Sequence, residues 1–376
     1  REREREVLRM GSLVGAPLAC ACGMVDDVPG AVFSVPRAGL AEYRLGQEPR
    51  VSSLPSTATA LALSNHSVLL GHVDGSVSFR PTSMRRTVLG GTEEGEGEGG
   101  GGGGKRKPPT LPPSSVPYPA RPPILPASPL AVVGNRHARE PVLSLSSGWT
   151  GCMALTPSRG AYIQGGDIPP LVFSPYTTPV SAGKRERRSP ATVCALQSVG
   201  YQCLLGDMAG GVSCIDVREP SSRCVPLGKH SPASATGVGV RQSDGQGAVT
   251  VLQYNTSSQS LSRSALVGRQ SGALVEYDLR RPDTPLYSVG GEGTVIPAGV
   301  SAGAGSRAGV RWADYCRGRI VSLVSGVLRV HPPSTSTSSN GTPMPDVLAQ
   351  NVVSAGACKE GVFAVDSLNQ VSWYKL

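Results

Sequence analysis

Short apolar runs broken by turn residues recur along the whole chain, and their short alternation reads as strands rather than helices. Three segments share one pattern: LLGHVDGSV (Leu69 to Val77), LLGDMAGGV (Leu204 to Val212) and LVGRQSGAL (Leu266 to Leu274). Each has two apolar residues, a Gly, three turn residues, a second Gly, one further residue and an apolar one. Relaxing only the first Gly brings in FSVPRAGLA from Phe33, ALTPSRGAY from Ala154, IVSLVSGVL from Ile320 and AVDSLNQVS from Ala364. The second turn slot is then filled by Gly39, Gly75, Gly160, Gly210, Gly272, Gly326 and Asn369. A tight connection between antiparallel strands often needs a residue at positive φ, which Gly adopts freely and Asn tolerates best among the others. The column therefore predicts seven β-hairpins. A further apolar strand precedes most of them, as in TALALS before Leu69, TVCALQS before Leu204 and AVTVLQY before Leu266.

Successive slots lie 36, 85, 50, 62, 54 and 43 residues apart. The shortest of these match the ~40–45 residues of a four-stranded propeller blade. The excess in the others has visible sources in composition. A Gly/Glu-rich then Pro-rich stretch fills 91–130, a basic one 175–190, and a Ser/Thr/Pro-rich one 331–346. Such compositions cannot bury enough apolar surface to fold, so these read as disordered inserts. The last unit stops at VSWYKL (Val371 to Leu376), its third strand, while Val7 to Val14 is spare at the other end. The expectation is an all-β chain, residues 1–376 forming a single seven-bladed propeller of four-stranded antiparallel sheets. Its N-terminal strand completes the last blade and so removes the open edges.

Composition narrows the picture further. Of 376 residues 48 are Gly and 33 Pro, which excludes a helix-dominated core. The formal charge is +9, yet the basic residues are scattered except in KRK (Lys105 to Lys107) and KRERR (Lys184 to Arg188). That distribution argues against nucleic acid as a partner, and these two runs read as short basic import signals within loops. Nine cysteines without a C-x-x-C signal neither a zinc knuckle nor a disulfide framework, which suits the cytoplasm or nucleus. No run of 18 apolar residues is present, so no helix is expected to span a membrane.

Two of the third strands read VSCIDVREP (Val212 to Pro220) and LVEYDLRRP (Leu274 to Pro282). They resemble the strand ending in Trp-Asp in WD-repeat propellers, with Ile215-Asp216 and Tyr277-Asp278 in that slot. The Trp-Asp dipeptide itself is absent, and Gly71-His72 lies in a hairpin rather than in the family's usual loop. Kelch repeats, a separate propeller lineage, would satisfy the same spacing. The WD resemblance implies a rigid platform whose faces bind other proteins. Cys203–Arg218 and Ala265–Arg280 are also similar to the box by which WD-repeat receptors dock onto cullin ubiquitin ligases. That likeness implies adaptor docking through Asp216, Arg218, Asp278 and Arg280. The RERERE start and VSWYKL tail are loosely similar to RING-finger/WD-domain ubiquitin ligases.

Catalytic constellations are scarce. G-x-S-x-G occurs once, around Ser301, but loop composition follows it where a nucleophile elbow needs a helix. Neither H-E-x-x-H nor a P-loop motif occurs, so no cofactor and no metal are expected. The residues point to a non-catalytic scaffold. Its hairpin tips carry Arg37, His72, Asp74, Arg159, Asp207, Arg269 and Asp366, with His72 read as an exposed loop residue. Arginine forks suit acidic or phosphorylated partner segments. A propeller-fold enzyme is the competing class, and it would need paired acid/base groups at the channel mouth.

Overall fold

The computed structural model describes residues 7–25, 28–54, 56–64, 67–81, 131–133, 140–164, 168–173, 189–218, 225–226, 247–255, 264–289, 309–332 and 345–376. The three inserts lie almost wholly outside these residues. The described residues form seven four-stranded antiparallel sheets and no helix. Six sheets are built from four consecutive strands. In the seventh, Val352–Ala357, Gly361–Asp366 and Gln370–Lys375 are joined by Val7–Ser12 as the outer strand. That strand runs antiparallel to Gln370–Lys375, with rungs from Val7–Tyr374 to Ser12–Gln370 and a bulge between Arg9 and Gly11.

The first strand of each blade is its inner one. Ala19–Val25, Ala58–Ser64, Ser144–Ser147, Ala191–Leu196, Val249–Tyr254, Val310–Cys316 and Val352–Ala357 each pack on the next, and the last packs on the first. The chain is a closed seven-bladed β-propeller.

Seven apolar clusters hold it together, one at each seam between neighbouring blades. At the closing seam Phe33 and Tyr43 of blade 1 meet Phe363 and Trp373 of blade 7, all buried. The Phe363 and Trp373 rings lie 4.6 Å apart, tilted by 49°. Each such side chain contributes about 1.5–3 kcal/mol by leaving water.

The first Gly of the repeated pattern belongs to these seams. A Cβ on Gly71, Gly206 or Gly268 would stand 2.6, 2.6 or 2.7 Å from Val142, Val249 or Val310 of the following blade. The missing side chain lets a valine on, or in blade 3 just ahead of, one inner strand press against the second strand of the blade before it.

The hairpin column resolves into several turns. In blades 2, 4, 5 and 7 the amides of Gly75, Gly210, Gly272 and Asn369 donate to the carbonyls of His72, Asp207, Arg269 and Asp366, at 3.0–3.2 Å. These four donors have φ of 79°, 90°, 86° and 62°. Blade 6 is tighter, with Ser325 and Gly326 both at positive φ between the paired Val324 and Val327. In blade 1 the positive φ falls on Arg37 as well as Gly39. Blade 3 departs altogether. There Pro157 and Ser158 make the turn, the Thr156 amide donates to the Arg159 carbonyl, and Gly160 is not at positive φ. Gly160 instead opens the third strand beneath Phe173, whose ring lies 2.3 Å from where a Cβ would be.

Candidate functional site

All seven hairpins between second and third strands emerge at one end of the ring, as the common strand order requires. Their side chains divide into two groups. His72, Asp207 and Arg269 are buried, against the expectation of free face residues, while Arg37, Asp74 and Arg159 are exposed and Asp366 is half-buried.

The buried ones hold the tips in shape. His72 is only 3% exposed, because it plugs the space between Ser56 and Ser78. Its Nδ1 and Nε2 each sit 2.7 Å from one of those hydroxyls. Burial pushes its pKa below the ordinary histidine value. One Asp207 carboxylate oxygen accepts from the amides of Ala209 and Gly211, both at 2.8 Å. Asp366 does the same for Leu368 and Gln370, at 2.8 and 2.9 Å. Arg269 reaches across a seam, where its Nη1 donates to the Gly210 carbonyl at 2.5 Å. It locks the tip of blade 5 to the tip of blade 4. Asp74 accepts from the Ser76 hydroxyl and amide, which hold its carboxyl below the usual range.

Arg37 projects from the blade 1 tip at φ 64°, and Arg159 from that of blade 3. Around them stand apolar side chains to which sequence patterning gave no weight. Leu368 is 75% exposed at the blade 7 tip, Met208 61% at the blade 4 tip, and Val73 half-exposed at the blade 2 tip. Beside Leu368, the chain passing from Ser12 into blade 1 leaves Val14 84% exposed. The Leu13 amide donates to the Asn369 carbonyl at 2.8 Å, fixing this passage against the blade 7 tip.

A shallow apolar cleft, about 20 Å³ inside its mouth, lies in the same seam. Leu13, Val14, Val35, Ala38, Ala41 and Val51 line it. The Tyr43 hydroxyl donates to the Ser12 carbonyl at 3.0 Å and pins its wall. Arg37 adjoins the lining residue Ala38. Inside its mouth the cleft has room for about one methyl-sized group, and the exposed Arg37 stands on the same turn.

The two Asp-x-Arg strand ends lie at the opposite end of the ring. Asp216 caps the Arg218 amide at 3.0 Å and pairs with its guanidinium at 2.6 Å. Asp278 caps the Arg280 amide at 2.9 Å and pairs with its Nε at 3.4 Å. Both arginine side chains stay well exposed. Arg218 also lies over the Tyr201 ring, 4.7 Å from its centroid.

A second histidine matches the environment of His72. His331, after the third strand of blade 6, sits between the Ser322 hydroxyl at 2.7 Å and the Tyr287 hydroxyl at 2.9 Å. Burial lowers its pKa to about 4. Among the described residues no group of three or more His, Cys, Asp or Glu is placed to hold a metal ion. Ser301 with its flanking glycines, Lys105 to Lys107 and Lys184 to Arg188 lie outside the described residues.

No protein-family model matches the chain. No curated protein matches it either. Many solved structures do. One is a chain of the structure titled "Crystal Structure of Mitotic Checkpoint Complex", with a TM-score of 0.57 and 10% identity over 99% of this chain and 93% of that one. At that identity the likeness is one of fold alone.

Proposed function

We propose that this propeller is a non-catalytic interaction scaffold that takes a partner segment on its hairpin end, centred on the seam between blades 7 and 1. The observation that carries this reading is the apolar cleft there, with Val14 and Leu368 exposed beside it and Arg37 at its rim. Exposed apolar side chains grouped on a rigid scaffold mark interaction surfaces, and arginine is enriched among the residues that dominate binding. The segment that suits them is amphipathic: an apolar residue for the cleft, and an acidic or phosphorylated one for Arg37. Arg159 and Met208 extend the same surface around the ring. The matched structure is by its title a complex, which fits a propeller used as a platform. Quantitative affinity purification tests the reading. Val14→Asp with Leu368→Asp, and separately Arg37→Glu, should lose the same partner while keeping the wild-type melting temperature. Equal recovery by all three chains overturns it.

A second reading, adaptor docking in a ubiquitin ligase, draws on the exposure of Arg218 and Arg280 on the other end. Truncating an arginine that becomes buried in an interface typically costs 2–5 kcal/mol of binding. Arg218→Ala with Arg280→Ala should then abolish co-precipitation of a cullin adaptor, and unchanged recovery removes the ligase reading. Both readings place the chain in the cytoplasm or nucleus, where its cysteines stay as thiols.

A further inference from the structure

We infer that the end opposite the hairpin tips carries an aromatic docking site for a proline-rich segment of this same chain, residues 108–129. The site centres on Trp149, in the turn between Ser144–Ser147 and Cys152–Leu155 of blade 3. It is 79% exposed, second only to Val14 among the large hydrophobic residues described. The backbone beneath it is held firmly. The Gly148 amide donates to the Gly151 carbonyl at 2.9 Å, and the Trp149 amide crosses the seam to the Ser198 carbonyl of blade 4, also at 2.9 Å. The Thr150 hydroxyl donates to the Gly200 carbonyl at 3.1 Å. A Cβ on Gly148 would stand 2.7 Å from the Gln197 carbonyl oxygen, so only glycine lets these two turns approach so closely.

The blade 4 turn that receives these bonds brings its own side chains. Val199 is half-exposed, and Tyr201 is half-buried beneath the Arg218 guanidinium. The result is an indole, a phenol ring and a valine on a rigid, shallow surface, where the nearby Asp216 and Arg218 charges neutralise each other. Fixed aromatic rings without a deep pocket are what polyproline II segments dock on. Such segments arrive already extended and lose little entropy, and they pack proline rings against ring faces.

The sequence supplies such a segment, and the topology delivers it to the correct end. PPTLPPSSVPYPARPPILPASP (Pro108 to Pro129) holds no acidic residue and one basic one, Arg121. Its insert leaves blade 2 at Pro81, which pairs with Ser67, itself paired with Ser64. The carbonyl next along, that of Leu63, accepts from the Ser147 hydroxyl at 2.6 Å, two residues before Trp149. The departure point and Trp149 therefore share one end of adjacent blades. The 26 residues between Pro81 and Pro108 can span up to about 85 Å when extended. The path needs only a few strand spacings of ~4.8 Å and sheet spacings of ~10 Å. Tethering raises the local concentration to about millimolar, so even weak proline–aromatic affinity populates the docked form.

Fluorescence tests this without any unidentified ligand. Of the three tryptophans, Trp373 is buried and Trp312 half-buried. Subtracting the signal of a Trp149→Phe chain isolates Trp149, and Trp373 reports that each variant is folded. In the intact chain Trp149 should resist acrylamide quenching. Replacing every proline of 108–129 by serine should make it several-fold more quenchable. Adding the synthetic 108–129 peptide should restore protection, and Tyr201→Ala should prevent that rescue. Equal quenching of Trp149 in the intact and serine-substituted chains overturns the proposal. Protection that grows with protein concentration overturns it too, since the segment would then come from a second copy.

Discussion

The tips of blades 3 and 4 look alike in sequence, ALTPSRGAY against LLGDMAGGV, but they are built on different physics. In blade 4 Gly210 supplies a positive φ of 90°, and the Asp207 carboxylate gathers the amides that the turn leaves over. In blade 3 a proline sets the turn, no residue from 156 to 160 is left-handed, and Gly160 is small because Phe173 lies on it. One glycine is required by its backbone, the other by its neighbour. A column in a repeat can thus be filled by one residue type for two unrelated reasons.

Substitutions separate those reasons. Gly160→Ala drives a Cβ into a buried ring and should cost about 3 kcal/mol by overpacking. Combining it with Phe173→Leu should recover much of that loss in a urea titration. Gly210→Ala should cost about 1–2 kcal/mol through its left-handed backbone. Here no neighbour can be trimmed to help, and Gly210→Asn should be milder than Gly210→Ala. At position 160 the order of Ala and Asn should reverse. If both glycines show the same order, the distinction between the two tips fails.

Asp207→Ala, which strips a capping acceptor from two amides, should lower stability by about 1 kcal/mol. In blade 3 that role is shared, since the Thr156 hydroxyl accepts from the Arg159 amide and Glu140 from the Ser158 amide, both at 3.2 Å, so Thr156→Ala should cost less than Asp207→Ala. The smallest effect concerns blade 2, which uses His72 where blade 4 uses Asp207. Burial lowers the folded-state pKa of His72, so the unfolded chain takes up the proton first. Its contribution is therefore complete above the unfolded value of about 6.5 and is lost as pH falls below it. Melting temperatures taken across that range should fall slightly more for wild type than for His72→Gln. Parallel profiles would show that His72 is not held neutral.

The blades were legible in the sequence because their signal is local. Two apolar residues, a turn and an apolar return all lie within nine positions, and the inserts declare themselves by composition. The tip residues were less legible, since their burial depends on distant partners. Arg269 is covered because it reaches the Gly210 carbonyl, 59 residues away in sequence. His72 is covered because Ser56 lies just ahead of the strand Ala58–Ser64 and Ser78 on the strand after its own. The recurring first glycine was visible as a pattern, but its cause, a valine on the next blade, was not. Trp149 gave no signal at all, because SSGWTG has the composition of any loop. Its exposure follows only from a turn tied to the neighbouring blade.

The closing strand also orders events in time. The rungs from Val7–Tyr374 to Ser12–Gln370 join the stretch a ribosome makes early to one it makes hundreds of residues later. Until Gln370–Lys375 emerges, Val7–Ser12 has no partner, and Phe33 and Tyr43 lack the far wall of their seam. Contacts of such sequence separation form slowly, and an unpaired strand edge is prone to pairing elsewhere. The same arrangement works in reverse in the finished ring. A circularly permuted chain that links Lys375 to Val7 and opens in a turn between two other blades would carry its closure from the start, and should refold faster than the natural order.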